Sequence, residues 1–454
     1  MTGAAATEIG GCTTASAFKY MQNKCHAKQG DIEDFADTRM NIIDEISFAD
    51  YKNTLTKISR NLQQFTPEST SVYGSIAMVF LGDFCQLEAI SKDCIYKHAD
   101  GYLWGNALNC MVELKGTHRY AACPFLKEII PHMREHGLSE KHRKLLQTRI
   151  INHKSVKMPD PATTRFATFD NITRSQINAD VFKSYLETYH KDCVKENICL
   201  TAIVIKAEAS WHSGKKPLSF GQRKKLFEEI SEADTEIAGR GNTRCDPLLC
   251  LYDGCNLMGN ANTDVENGIA NGTTCTFKKI VLKQGTSPHP IRMHGYWVYA
   301  ISANDVEHME LNFQDSSRFV GTFRVRPKTI LYKVNFPTSK ESQETGAPES
   351  VQLNMYLQQF PVVVNHATTV HKLQGKTLDR LVIAQWHAQK NWAYVAISRV
   401  RTLSGLYMTG AIKANIDFCP QPEYLSMMED LRKRILALPE ELQDLKARLF
   451  NLVP

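Results

Sequence analysis

Two short apolar runs near the amino terminus each end in acidic residues: Asn41-Ile42-Ile43-Asp44-Glu45 and Ile76-Ala77-Met78-Val79-Phe80-Leu81-Gly82-Asp83. Neither run alternates with polar positions, which is the pattern of strands buried on both faces of a parallel sheet. Between them, Leu55, Ile58 and Leu62 recur at helical spacing within Tyr51 to Phe65, so the stretch reads as strand, helix, strand. A second core of the same kind is split in sequence, with strands predicted at Ile198 to Ile205, Leu381 to Ala384 and Gly405 to Met408. From Gly295 to Phe336, alternating segments such as Tyr296-Trp297-Val298-Tyr299 and Phe323-Arg324-Val325-Arg326 predict a small antiparallel β-module. Thr338 to Ser350, rich in Ser, Thr and Glu, reads as a loop. After Pro422, the residues Tyr424, Leu425, Met428, Leu431 and Ile435 predict an amphipathic helix, and Pro439 opens another through Leu442, Leu445 and Leu449.

Length and composition narrow the class. A chain of 454 residues exceeds the ~250–300 at which single cores stop growing, so several domains are expected. No apolar run approaches the ~20 residues that span a bilayer, and the first residues lack the basic and apolar regions of a secretory signal. The 13 cysteines form no C-x-x-C pair, which points to reduced thiols in an intracellular compartment. Cys245, Cys250 and Cys255 have no nearby histidine to finish a zinc site and read as packing residues. The net charge of +6 permits a polyanionic partner without requiring one. The basic stretch Trp211 to Arg244, with Lys215, Lys216, Arg223, Lys224 and Lys225, reads as a solvated insertion in preference to a DNA contact.

Four motifs carry chemistry. Asp44-Glu45 closes a buried strand in the manner of a Walker B pair, where an aspartate anchors magnesium and a glutamate polarises water. Gly82-Asp83-Phe84-Cys85-Gln86-Leu87 closes another, and ligands of open α/β sheets bind beyond the carboxyl ends of the strands, so both motifs would face one site. Gln86 could hydrogen-bond a phosphate oxygen and a water together. The block Thr368-Thr369-Val370-His371-Lys372-Leu373-Gln374-Gly375-Lys376-Thr377-Leu378 concentrates donors around a permissive glycine and could hold a phosphate backbone. Tyr394-Val395-Ala396-Ile397-Ser398-Arg399 puts a guanidinium after an apolar stretch, where it could reach a triphosphate held by a neighbouring domain.

In this order the blocks resemble superfamily 1 DNA helicases, most closely the petite integration frequency family and its RecD-like relatives. Thr2-Gly3-Ala4-Ala5-Ala6 with Gly11-Cys12-Thr13 is similar to that family's grip on single-stranded DNA, and Glu113-Leu114 with Arg119 to the motif whose arginine contacts the γ-phosphate. Ala167 to Asn171 with Ile177-Asn178 resembles the start of the second RecA-like domain, and Asn260 with Gly268 to Thr273 the turn before a small β-barrel. The resemblance, with the strand pattern, implies an α/β fold of two RecA-like domains of P-loop NTPase type with a small β-barrel insertion in the second. The first domain would cover residues 1–122 and the second 123–290, with the charged insertion at 211–244. The β-module would follow at 291–350, the closing part of the second domain at 351–420 and the carboxy-terminal helices at 421–454.

The resemblance further implies an ATP-dependent DNA helicase travelling 5′ to 3′ on single-stranded DNA and acting at duplex junctions in repair, recombination or telomere maintenance. It would be monomeric and, in a eukaryote, nuclear or mitochondrial. ATP and Mg2+ would be held by Asp44, Glu45, Gln86, Gly375 and Arg399, with Arg119 also reaching the γ-phosphate. Thr2, Gly3, Asn171, Asn178, His371, Lys372, Gln374 and Thr377 would meet the DNA.

Three departures stand out: Ala15 where the family usually has histidine, His366 where an apolar or aromatic residue is commoner, and no G-x-x-x-x-G-K-[ST] loop anywhere in the sequence. The reading that accommodates the last is a motor whose sequence starts downstream of that loop, with the first sheet left partly uncovered. The alternatives are a protein that binds single-stranded nucleic acid without hydrolysing ATP, or a helicase module acting as a relaxase's partner domain.

Overall fold

The computed structural model describes residues 6, 10–19, 29–66, 70–89, 91, 93–109, 111–114, 116, 118–152, 156–161, 163–189, 198–211, 218–224, 246–264, 269–313, 321–337, 350–413, 416 and 420–436. In the first lobe, β1 (Met40–Ile43) and β2 (Ala77–Phe80) pair in parallel, Met40 opposite Ala77 and Ile43 opposite Phe80. Helix α1 (Thr56–Phe65) connects them and buries Ile58, Leu62 and Phe65, while the π-helical turn before it, Tyr51–Leu55, buries Leu55. The side chains of Met40 (53% exposed), Ile42 (54%), Val79 and Leu81 line the opposite face. Both strands are therefore covered on one face only, which corrects the doubly buried reading of their apolar runs.

The second lobe carries a four-stranded parallel sheet, ordered β16 (Ala367–Thr369), β3 (Arg165–Thr168), β17 (Leu381–Ile383) and β18 (Leu406–Met408). Its flanking helices are α3 (Asn171–Tyr189), α4 (Val370–Leu373) and α5 (Trp392–Ile397). The predicted core strand at Ile198 to Ile205 lies elsewhere: β4 (Ile198–Lys206) sits between β6 (Leu248–Tyr252) and β10 (Tyr296–Ser302), and β9 (His289–Met293) completes that mixed sheet. Its residues Ala202, Val204 and Ile205 are buried in a second core, so composition alone could not tell the two sheets apart. The strand that takes its place is β3, too short and too polar at Arg165 and Thr168 to stand out.

That second core also packs a five-stranded antiparallel sheet ordered β12 (Gly321–Val325), β11 (Val306–Phe313), β8 (Thr274–Leu282), β7 (Asn256–Gly259) and β15 (Val362–Val364). A further antiparallel sheet joins β13 (Lys328–Pro337), β14 (Ser350–Gln359) and β5 (Glu208–Trp211). The β region thus takes in β4 to β8 as well as the 291–350 stretch read from the sequence. Lys215, Lys216, Lys225, the 338–349 loop and the tail from Pro439 lie outside the described residues.

Helix α2 (Pro124–His136) and the carboxy-terminal α6 (Pro422–Leu436) brace the first lobe. The Trp104 indole donates to the Met427 sulfur at 3.4 Å, and Arg432 grips Glu113 with two hydrogen bonds of 2.7 and 3.1 Å. One continuous apolar cluster contains Ile43, Ile46 and Leu87 of the first lobe and Val370, Trp392 and Ile397 of the second, so the lobes meet face to face.

His366, the second departure from the family pattern, is buried with Tyr252 Oη 2.7 Å from its Nε2. Burial, and then the charge of Arg165, push the imidazole down to about 4 from the ordinary 6.5. The folded protein keeps this ring neutral while the unfolded chain takes up a proton, so stability is fully present above pH 6.5 and is lost as pH falls towards 4. We expect urea unfolding to lose roughly 2 kcal/mol more between pH 7 and 5 in the native chain than in a His366→Phe variant. Parallel losses in the two proteins would contradict this.

Candidate nucleotide and DNA site

The two strand ends of the first lobe are tied by backbone bonds, Leu81 N–H to Ile43 O at 2.8 Å and Ile46 N–H to Leu81 O at 2.9 Å. The approach is close enough to require glycine at position 82, where a Cβ would come within 2.9 Å of Ile46 Cγ2 and 3.0 Å of its backbone nitrogen. Asp44 follows β1 directly, and Glu45 adopts a left-handed backbone (φ 53°, ψ 45°), a conformation costly for a non-glycine residue and typical of functional sites. A cavity of about 130 Å³ opens beside the pair, lined also by Thr13, Thr14, Ala15 and Thr54.

The second lobe reaches this acidic pair directly. Gln374 donates from Nε2 to Glu45 Oε2 at 3.1 Å, and Gly375, with φ +81°, passes so near that a Cβ there would lie 3.9 Å from Glu45 Oε1. Arg399 is 2% exposed; its Nε donates to Val395 O at 2.9 Å and its Nη2 to Ser398 Oγ at 2.7 Å. Burial, then the neighbouring Arg119 charge, lower the guanidinium to about 10, so it remains a cation at neutral pH. Arg119 crosses from the first lobe, donating to Thr377 Oγ1 at 2.9 Å and to Ser398 O at 3.1 Å, and Tyr120 adds a 2.9 Å bond to the same carbonyl. Burial raises the Glu45 carboxyl, with Asp44 and Asp83 adding to the rise while the Gln374 bond and Arg399 oppose it. Glu45 is thus tuned towards accepting a proton.

Gln86 Oε1, Gln374 Oε1 and Arg399 Nη1 are buried without a hydrogen-bond partner among the described residues. Buried polar atoms without partners are costly, and groups of both signs at one lobe junction fit a ligand that offers acceptors, donors and negative charge together. A phosphate with its attacking water is such a ligand, and the Asp44 and Glu45 oxygens are the donor type that magnesium takes.

The sequence-predicted DNA residues divide. Gln374 and Thr377 lie at the acidic pair and at Arg119, at the lobe junction. Asn178 spends its amide inside the lobe: Nδ2 donates to Val364 O at 3.1 Å, and Oδ1 accepts from His366 N–H and Ala367 N–H. This bonding makes it a structural residue, because a side chain already satisfied on both sides has little left for a phosphate. Asn171, 9% exposed, opens α3 beside Asp170, whose carboxylate accepts from Thr173 N–H at 2.7 Å as a helix cap would. His371 and Lys372 share α4; Lys372 donates to Asn271 Oδ1 at 2.8 Å, and Lys376 holds Gly272 O at 3.0 Å. Burial, with Lys376 and Arg174 nearby, lowers Lys372 to about 8, and burial beside His387 and Lys372 lowers His371. Thr2 and Gly3 lie outside the described residues.

No protein-family profile matches the chain. Among curated proteins it is 25% identical over 380 residues to the ATP-dependent DNA helicase Pif1 of Bdellovibrio bacteriovorus, covering 81% of this chain and 65% of the relative. It is 23% identical over 465 residues to the ATP-dependent DNA helicase PIF1 of Danio rerio, covering 98% and 58%. The chain therefore spans less than two thirds of the length of either. Among solved structures, Pif1 helicase from Bacteroides in complex with ADP-AlF3 and ssDNA superposes with a TM-score of 0.58 at 19% identity, covering 95% of this chain and 86% of that one. Pif1 helicase from Candida albicans gives a TM-score of 0.59 at 17% identity, covering 94% and 85%. These structures share the fold, a pair of RecA-like lobes.

Proposed function

We propose that the chain is a Pif1-like superfamily 1 helicase that acts as an ATP-dependent motor on single-stranded DNA, unwinding duplexes at junctions, a reading supported by its similarity to Pif1 helicases in sequence and fold. The observation that carries this reading is the meeting of Glu45, Gln374, Arg119 and Arg399 from two lobes at one point. Glu45 orients a water and takes its proton, the raised carboxyl making that transfer easier. Gln86 reads the presence of the γ-phosphate. Arg399, with Arg119 behind it, meets the charge that develops as the phosphoryl group leaves. Asp44 would hold Mg2+, which when bound neutralises phosphate charge. The Ser398 and Thr377 contacts let a change at the phosphate alter how the lobes sit, and so move DNA past His371, Lys372 and Asn171.

Travel from 5′ to 3′, a monomeric motor and an intracellular setting in genome maintenance complete the proposal, by analogy with the Pif1 helicases it resembles. The test is displacement of streptavidin from biotinylated oligonucleotides by the purified chain with ATP and Mg2+. Displacement from the 3′ end supports the reading. A second reading is that the chain binds single strands without hydrolysis. Tight oligonucleotide binding with no displacement and no phosphate release would select it.

The Lys372 ammonium supplies a pH signature. Its charge is present below about pH 8 and is lost above it in the free protein, whereas a bound phosphate would restore the ordinary value near 10.5. Affinity for an oligonucleotide, read by fluorescence anisotropy at fixed ionic strength, should therefore fall roughly tenfold between pH 7 and 9. A Lys372→Gln variant should show a flat profile, and a fall of equal size in that variant would remove Lys372 from the DNA path.

A further inference from the structure

The loop after β2 is gripped from the opposite lobe by a residue outside every motif above. Asn391 Nδ2 donates to two carbonyls of that loop, Gln86 O at 2.8 Å and Phe84 O at 3.3 Å. Asn391 itself is left-handed (φ 63°, ψ −6°), a conformation asparagine tolerates better than most residues, and its side chain makes no cap to its own helix. Its carbonyl accepts from Val395 N–H at 3.0 Å, so the residue that starts α5 also bridges to the first lobe. The next residue, Trp392, is fully buried and meets Trp386 edge to face, which fixes this end of the helix in the core.

A second contact lies one turn on. The Tyr394 hydroxyl donates to Asp83 Oδ2 at 2.8 Å, while Asp83 Oδ1 accepts from Cys85 N–H at 3.0 Å and lies 3.8 Å from Arg134 Nη2 of α2. Asn391 therefore holds the backbone of the 83–87 loop and Tyr394 its leading carboxylate. The same short helix is followed by Ser398 and Arg399, whose Nη1 has no hydrogen-bond partner among the described residues, and the loop carries Gln86, whose Oε1 likewise has none among them.

We propose that Asn391 is a positioning residue: its carboxamide clamps the 83–87 loop to α5, so that Gln86 and Arg399 are set against one another as a single unit. The part assigned to Gln86 rests on the functional reading above, while the clamp itself does not. Through it, any displacement of the loop is passed to the helix that ends in Arg399, and an unclamped loop would leave Gln86 free to lose register with the arginine.

The test compares the native chain with Asn391→Gly, which keeps the left-handed backbone and removes the carboxamide. Asn391→Asp serves beside it, keeping the shape while turning oxygens towards two carbonyls. Hydrogen exchange followed by mass spectrometry, without nucleotide, should show amides of the 83–87 loop exchanging about tenfold faster in both variants, with the 165–168 strand unchanged. Where the native chain hydrolyses ATP, the variants should lose about tenfold in DNA-stimulated kcat with KM for ATP held within threefold. Loop exchange within twofold of the native chain in Asn391→Gly overturns the clamp. Faster exchange throughout the protein also overturns it, by reducing Asn391 to a folding residue. A native chain without hydrolysis sinks the functional reading and leaves the clamp to be decided by exchange alone.

Discussion

Replacing Arg399 by alanine is expected to lower DNA-stimulated ATP hydrolysis by about 10³-fold or more, the scale set by arginines that reach a transferring phosphoryl group. The expectation follows from a guanidinium held in place by Val395 and Ser398, with Nη1 lacking a partner among the described residues, inside the field of Glu45. Lysine should recover little, because a point charge cannot keep both bonds and still extend a donor. Folding should suffer less than the loss of a fully buried side chain would suggest. Burial and the Arg119 charge already disfavour the cation at 399, so its removal relieves a cost while leaving a cavity. Phosphate-release rates with thermal melts on the same samples would check this. A variant that melts normally and hydrolyses within tenfold of the native rate would take Arg399 out of the reaction.

Glu45→Gln is the second large effect, a loss of about 10²–10⁴-fold in hydrolysis with binding of nucleotide and DNA kept within a few fold. The amide has the carboxylate's shape and can still accept from Gln374, so the lobe contact survives while the proton acceptor does not. The native pH profile carries a related sign. Desolvation and the neighbouring Asp44 and Asp83 raise the Glu45 carboxyl, so the acid limb of the rate should lie above the ordinary carboxylate value of 4.5, with activity falling as pH drops through it. An acid limb at or below 4.5 would show that another group sets it.

What the sequence disclosed and what it hid follow from the range of the interactions. The strand-end placement of Asp44, Glu45 and Gln86 is legible because each sits within a few residues of an apolar run, and strand ends in parallel sheets converge. Arg119 and Arg399 were legible only through the order of the motifs, since nothing local shows that they share Ser398 across more than two hundred residues of chain. Gln374 and Thr377 were read with the DNA residues of their block. Lys372 lies on a four-residue helix and meets Asn271, while Gln374 just past the end of that helix meets Glu45, so neighbours in one block face different partners. Asn391 had no visible signal beyond an asparagine before a helix, which reads as an ordinary cap; its left-handed backbone sends the side chain to the other lobe instead. The strand Ile198 to Ile205 was misplaced because burial against a β-sandwich-like core and burial in a parallel sheet leave the same apolar run.

The most direct test of the account is steady-state ATP hydrolysis by the purified chain with and without a single-stranded oligonucleotide, in Mg2+ and then in EDTA. Mg2+-dependent phosphate release that rises at least tenfold with DNA and disappears in Glu45→Gln is the expected result. Binding of the oligonucleotide without any stimulated release, at ATP concentrations up to millimolar, would contradict it.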